Sequence, residues 1–213
     1  MRILERKDAE PRGRVDRDSR REAILDVAET IFLDVGYSAA SMSMIAAKVG
    51  GSKGTLYNYF RSKQELFEAY IDRHCAWQQQ AMDELLAQDG DVRHILQGVG
   101  EALLSVVLSD FGVRNFTLVV SESGRAPEIG RAYYEAGPRR GVGHLAEFIA
   151  RASRDGRLRP CDPMAAAFQF SGLCQVRLLK ARLCNVLPEP TPEELRAEAA
   201  AAVETFMAAH GPL

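Results

Sequence analysis

SMSMIAAKVGGSKGTLYNYFRSK, running from Ser41 to Lys63, is the stretch that decides how the rest of this chain is read. Ile45 and Val49 stand four apart and put an apolar ridge on a short helix from Met42 to Val49. Leu56 and Phe60 repeat the spacing on a second helix, from Lys53 to Phe60, with Gly50, Gly51 and Ser52 as the turn between them and Ser41 placed to cap the first. Upstream, Ile24, Val27, Ala28, Ile31, Phe32 and Val35 form one stripe on a helix from Arg20 to Val35, and Gly36 ends it. Packing the three ridges together predicts a compact helical unit. Its outer face would carry Lys53, Gly54, Thr55, Tyr57 and Asn58, groups that donate to phosphates or reach base edges, while Gly54 has no side chain to hold a helix off a groove. A solvated hairpin in any helical bundle has a similar face, so spacing alone leaves both readings open.

Charge points the same way once the chain is divided. The formal net charge is −2, but residues 1–63 carry 12 Lys and Arg against 9 Asp and Glu, whereas the remainder carries 15 against 20. From Gly36 to Lys63 there are Lys48, Lys53, Arg61 and Lys63 and no acid. A basic patch on an acidic body attracts phosphate locally; a helix face that merely lacks acids is the plain alternative.

Spacings of three and four recur through the remaining sequence and no alternating run marks a strand, so the expected fold is all-α. Helices are expected at about 62–88, 91–109, 113–123, 127–137, 138–155, 162–186 and 191–210, with Pro127, Pro138, Pro188 and Pro190 as punctuation. The expected organisation is a flexible charged arm over 1–19, a helix-turn-helix domain over 20–62 and a larger helical ligand-binding and dimerisation domain over 63–213. The charged N-terminus reads as neither signal peptide nor anchor, and no apolar run is long enough for a bilayer, which suggests a cytoplasmic protein without a membrane partner. Cys75, Cys161, Cys174 and Cys184 are scattered and lack zinc spacing. No phosphate loop, nucleophile elbow or metal motif stands out, so no catalytic residue, metal or cofactor is expected.

The run GGSKGTLYNYFRSKQELF from Gly50 to Phe67, preceded by Gly36-Tyr37 and SMSMIA, closely resembles the DNA-binding domain of TetR-family bacterial repressors over about Arg20 to Tyr70. FTLVVSESGRAPEIGRAYYEAGPRR, from Phe116 to Arg140, resembles the C-terminal region of a TetR subgroup of efflux and stress regulators. The resemblance implies a homodimer on a near-palindromic double-stranded DNA operator, acting as a repressor released by a small-molecule inducer. Carried over by position, Met42, Ser43, Lys53, Gly54, Thr55, Tyr57, Asn58, Tyr59 and Lys63 fall where the family meets DNA. Tyr57, Tyr59 and Lys63 suit phosphates; Asn58, Lys53 and Ser43 suit base edges. Gly51 replaces a frequent Val and Met44 a frequent acid, and Gly51 is expected to loosen the turn.

For the C-terminal half, candidate ligand contacts are His74, Trp77, Gln78, Phe111, Phe116, Tyr133, Tyr134, Phe148 and Gln169, with ordinary core packing as the favoured reading of each residue taken singly. Small and apolar residues on the last two long helices, Ala167, Ser171, Gly172, Leu195, Ala199, Val203 and Phe206, are the expected dimer interface, with closure of the monomer core as the alternative. Two other classes stay open: a helical enzyme or carrier, which would need converging acid, base or metal groups, and a DNA-binding protein with no ligand.

Overall fold

The computed structural model describes residues 12–212, with side chains from Arg17 onward except those of Trp77 and Gln78. Among the described residues there is no strand. The helices are α1 (Arg12–Val35), α2 (Met42–Val49), α3 (Lys53–Tyr57), α4 (Lys63–Leu86), α5 (Val92–Val107), α6 (Asp110–Glu122), α7 (Pro127–Tyr134), α8 (Arg140–Arg154), α9 (Pro163–Gln175), α10 (Leu178–Leu183) and α11 (Pro192–His210). The chain divides into two compact units after Tyr70. That boundary lies inside α4 and not before Lys63, because Leu66, Phe67 and Tyr70 are buried with the first unit.

The first unit is held by α1, α2, α3 and the start of α4. Its core takes Ile24, Leu25, Ala28, Ile31 and Phe32 from α1, Ile45 and Ala46 from α2, then Leu56 and Phe60. Phe67 meets Phe32 and Tyr37 edge to face, each with ring centroids 5.2 Å apart, and Tyr70 at 5.8 Å. Two expectations need correction here. Of the charged arm read over 1–19, residues 1–11 lie outside the described residues, but residues 12–19 are the first turns of α1. Beyond Gly13 no helix breaker precedes Arg20, so a helix nucleated on the apolar stripe propagates back to Arg12. The stripe's last member, Val35, is exposed.

The second unit is built on α5, α8, α9 and α11. Leu96, Leu104, Phe148, Ile149, Phe170 and Phe206 lie in one core, where the Phe170 and Phe206 rings meet at 5.4 Å and 81°. Arg182 is buried with a partner for each of its three nitrogens, donating to Leu108 O at 3.0 Å, Leu187 O at 2.9 Å and the Asp110 carboxylate at 2.5 Å, so it ties α10 to the α5–α6 corner. The later part of α4 is tied to α8: Gln79 and Asp83 both meet His144 Nδ1, and Arg151 donates to Leu86 O at 2.9 Å.

The break expected at Gly137 and Pro138 does not occur. Glu135–Arg139 instead form one π-turn that joins α7 to α8 without leaving the helix. Pro138 has no N–H, and its ring would strike the carbonyl four residues back; widening that turn relieves both problems. The single helix expected over 162–186 is divided at Val176 and Arg177, where Arg177 turns to pair with buried Glu198.

At the α5–α6 corner a glycine is required. Ser109 Oγ accepts from Gly112 N at 2.9 Å and donates to Val106 O at 2.8 Å, and a Cβ on Gly112 would lie 2.1 Å from that same carbonyl. Gly112→Ala should therefore cost about 3 kcal/mol and lower the melting temperature by about 5 °C or more. Gly124→Ala, whose Cβ would meet nothing within 4 Å, should leave it nearly unchanged. Equal melting curves for the two variants would remove this account of the corner.

Candidate functional site

In the first unit the helix-turn-helix is closed by local chemistry. Ser41 Oγ accepts from Met44 N at 3.2 Å to start α2, and Gly50, at φ 73°, ends it in the left-handed region that glycine tolerates. The amides of Gly50 and Gly51 return to the carbonyls of Ala47 and Ala46 at 3.3 and 3.1 Å. Ser52 Oγ then accepts from Thr55 N at 3.0 Å and begins α3. The looseness expected from Gly51 is countered from α1: Arg20 donates to Val49 O at 3.3 Å, and its guanidinium lies 3.2 Å from where a Gly51 Cβ would stand.

Helix α3 stops at Tyr57, short of the expected Phe60, yet Phe60 stays buried because the amides of Tyr59 and Phe60 both return to Leu56 O. Ser43, Lys53, Gly54, Thr55, Tyr57 and Asn58 are exposed and Tyr59 is half-buried. The Lys53 ammonium stands 5.8 Å from the Tyr57 ring centre, and the Thr55 hydroxyl lies 2.9 Å from Ser52 Oγ.

Two of the expected DNA contacts are assigned differently by the geometry. Met42 is only 6% exposed and packs into the core of the unit, so its side chain cannot meet a groove. The Lys63 ammonium donates to the carbonyls of Tyr37 at 2.7 Å, Ala40 at 2.9 Å and Ser38 at 3.4 Å, and sits 4.3 Å from the Tyr37 ring centre. Its three donors are thus engaged in fixing the loop between α1 and α2. Sequence reading missed Arg17, whose guanidinium lies 5.9 Å from the centre of the Tyr59 ring. Reading that part of the chain as a flexible arm had removed it from view.

The second unit contains a cavity of about 260 Å³. His74, Phe116 and Tyr133 line it as expected, with Cys75, Asn115, Gly137, Pro138, Gln175 and apolar residues of α5 and α8. Phe111 does not line it but packs on His74 with ring centroids 4.0 Å apart. The remaining candidates are placed elsewhere. Tyr134 is exposed, Phe148 is in the core, and exposed Gln169 bonds His210 at 3.0 Å. The side chains of Trp77 and Gln78 lie outside the described residues.

Burial, aided by neighbouring Arg73, pulls His74 from 6.5 down to about 4, so it is a neutral imidazole. Burial raises the Cys75 thiol to about 11 and the Tyr133 phenol to about 12, and pushes Cys174 up to about 12. Burial thus holds Cys75 and Cys174 in the thiol form. No group of His, Cys, Asp and Glu among the described residues could hold a metal.

Most of the expected dimer residues are inside the protomer. Ala167, Ala199, Val203 and Phe206 are buried around α5, Leu195 packs half-buried on the same core, and Ser171 lines the cavity. Small residues on α9 and α11 permit the close approach of helices within one chain, as Gly100 on α5 shows: its Cβ would lie 3.0 Å from that of Ala199. Gly172 alone is exposed with open space about it. It lies on a stripe of α9 that sequence reading missed, with Met164 and Phe168, the latter 46% exposed, and with Val176 at the helix end, 67% exposed.

A helix-turn-helix unit followed by a larger helical unit enclosing a cavity is the architecture of a helix-turn-helix transcription regulator. Residues 24–70 match the bacterial regulatory proteins of the tetR family, and residues 94–212 match the AefR-like transcriptional repressor C-terminal domain. The chain belongs to the TetR family of transcriptional regulators. It is 37% identical over 98 residues to the transcriptional activator FasR of Mycolicibacterium smegmatis, an alignment covering 46% of this chain and 45% of FasR. The chain thus spans less than half of that curated relative. Among solved structures, a TetR-family regulator from Mesorhizobium loti superposes with a TM-score of 0.81 at 25% identity, covering 95% of this chain and all of that one. The flavonoid-responsive regulator FrrA superposes at 0.79 with 31% identity, over 92% of this chain and 98% of FrrA. No single helix among the described residues is long and apolar enough to cross a membrane.

The lowered His74 value has a consequence for stability. An unfolded chain binds the proton near 6.5 while the folded protein resists it until about 4, so stability is full above 6.5 and is lost as pH falls through that window. Urea unfolding at either end of the window should show a loss that His74→Gln reduces. An identical pH dependence in the variant would place the titrating group elsewhere.

Proposed function

We propose that the protein is a cytoplasmic homodimeric repressor that grips a near-palindromic operator through α3 and lets go when a small molecule fills the cavity. The observation that carries this reading is the exposed, acid-free face of α3, offered by a turn that two caps and Arg20 hold closed. Tyr57 and Tyr59 supply phosphate contacts, with Arg17 beside Tyr59; Ser43, Lys53 and Asn58 supply base contacts, and Gly54 and Thr55 let the backbone approach. Lys63 contributes by shaping the loop ahead of α2. The AefR-like C-terminal match supports repression, whereas FasR is an activator, so the sign is tested separately by a reporter placed behind the operator.

Anisotropy titrations on operator DNA recovered from the source genome should show affinity falling steeply with salt. Arg17→Ala should weaken all sequences alike and reduce the salt slope by about one, whereas Asn58→Ala should relax preference at one or two base pairs. Met42→Leu should leave affinity within about twofold, because a buried volume-conserving change costs little. An unchanged site preference in Asn58→Ala would sink the base-contact assignment.

For the dimer, Met164, Phe168, Gly172 and Val176 recur at the spacing of one helix face and are open to solvent. That face, against the alanine-rich exposed side of α11, is the proposed interface. Phe168→Glu should give a monomer in sedimentation without altering the protomer's helical content, and Gly172→Glu should do the same. A dimer of full strength in both variants would move the interface off α9. Release by ligand requires that it bind free protein more tightly than DNA-bound protein; a coupling of about 1–3 kcal/mol lowers DNA affinity roughly 5- to 150-fold.

A further inference from the structure

The wall of the cavity has a property that bears on the chemistry of its occupant. Among the described residues that line it, none is Asp, Glu, Lys or Arg. Trp77 and Gln78, whose side chains are not described, carry no charge either. Its ionisable groups are His74, Cys75 and Tyr133, and burial holds each in its neutral form at neutral pH. The other polar groups are largely bonded to the protein itself: Asn115 donates to Phe111 O at 3.1 Å, and Gln175 to Ser171 O and Oγ at 2.9 Å. The charges that act on the site from behind the wall are of both signs, Asp72 and Arg73 on α4 and Arg140 at the start of α8.

We infer that the cavity selects its ligand by the absence of charge, taking a neutral, largely apolar aromatic molecule with one or two hydroxyl or carbonyl groups and rejecting the carboxylate or ammonium analogue of the same shape. This rests on the reading of the cavity as the inducer site and names the class of ligand for it. An ion entering this wall gives up water and meets no counter-charge, and a buried unpaired ion is far more costly than a neutral polar group that finds one hydrogen bond. The phenol of Tyr133 is what the wall offers for such a bond. Arg73 and Arg140 do not alter the argument, since neither lines the cavity and Asp72 opposes them. At about 260 Å³ the space is a little below the usual range of roughly 300–1,000 Å³ for small-molecule sites, which suits a two-ring compound.

The test holds shape constant and varies charge. Binding of para-phenylphenol, para-phenylbenzamide, para-phenylbenzoate and para-phenylbenzylammonium to the full-length protein is measured by calorimetry at neutral pH. The phenol and the amide should bind, and both ions should bind at least about 100-fold more weakly. Gly141→Phe, placed where a Cβ meets nothing within 4 Å on the cavity wall, should abolish binding of the neutral pair. Where that variant fails to fold, the unsubstituted series decides the matter alone. Tight binding of the benzoate would overturn the inference in favour of an arginine swinging into the site, and tight binding of the ammonium would overturn it equally. Failure of all four to bind, or undiminished binding to folded Gly141→Phe, overturns it too. Operator release is scored separately: neutral-selective binding without release from DNA leaves this inference standing and removes the inducer reading, while release by the ions does the reverse.

Discussion

Three carbonyl oxygens, from Tyr37, Ser38 and Ala40, converge on the ammonium of Lys63 at the start of α4, and the ring of Tyr37 closes over it. One turn further along the same helix, Phe67 takes up Phe32 and Tyr37 edge to face. The loop that leads into α2 is therefore gripped through its backbone by a charge and through its side chain by an aromatic cluster. Both grips come from a helix that lies beyond the helix-turn-helix in sequence. With the loop held, Ser41 is in place to cap α2, and the turn at Gly50 then decides where α3 begins. The face that α3 offers is set by this clamp as much as by the residues on it.

The second unit uses close packing for a different end. Gly100 against Ala199, with Phe170 across from Phe206, brings α5, α9 and α11 together without room for water. The opening is bordered by residues of α4, α5, α6, α8 and α9 and by the π-turn. Gly137 and Pro138 of that turn line the cavity, and a Cβ on Gly137 would stand 3.4 Å from Cys75 Sγ. A wider turn forced by one proline thus lies where the wall of the cavity is made. Burial keeps the titratable groups of that wall neutral, and one cause accounts for both the quiet cysteines and the uncharged imidazole.

Much of the first unit was legible in the chain because its signals are local. A serine before each short helix, a glycine after the first, and apolar residues three and four apart act within one or two turns, and their meaning survives without knowledge of the fold. The α1 stripe and the ridges of α2 and α3 could be named for the same reason. The polar face of α3 follows from them by exclusion, which is why Lys53, Gly54, Thr55, Tyr57 and Asn58 could be named and are exposed.

What only the tertiary structure decided involves partners distant in sequence. Lys63 reads as a phosphate ligand until carbonyls 23 to 26 residues away are brought to it. Met42 reads as a groove contact until the core closes over it. Ala167, Ala199, Val203 and Phe206 read equally well as a dimer seam or as a core, because an apolar residue on a helix records that its face is covered and says nothing of what covers it. Phe148 and Gln169 failed as cavity residues for the related reason that a cavity is the space several helices fail to fill, and no one of them encodes it. From its sequence alone this chain determined the caps and turn of the two short helices and the apolar ridges of the first unit, since those depend on backbone hydrogen bonds and side chains a few residues apart. Which apolar faces meet, which charge is spent on the fold and where space is left over depend on contacts between distant segments, and only the packed structure holds those.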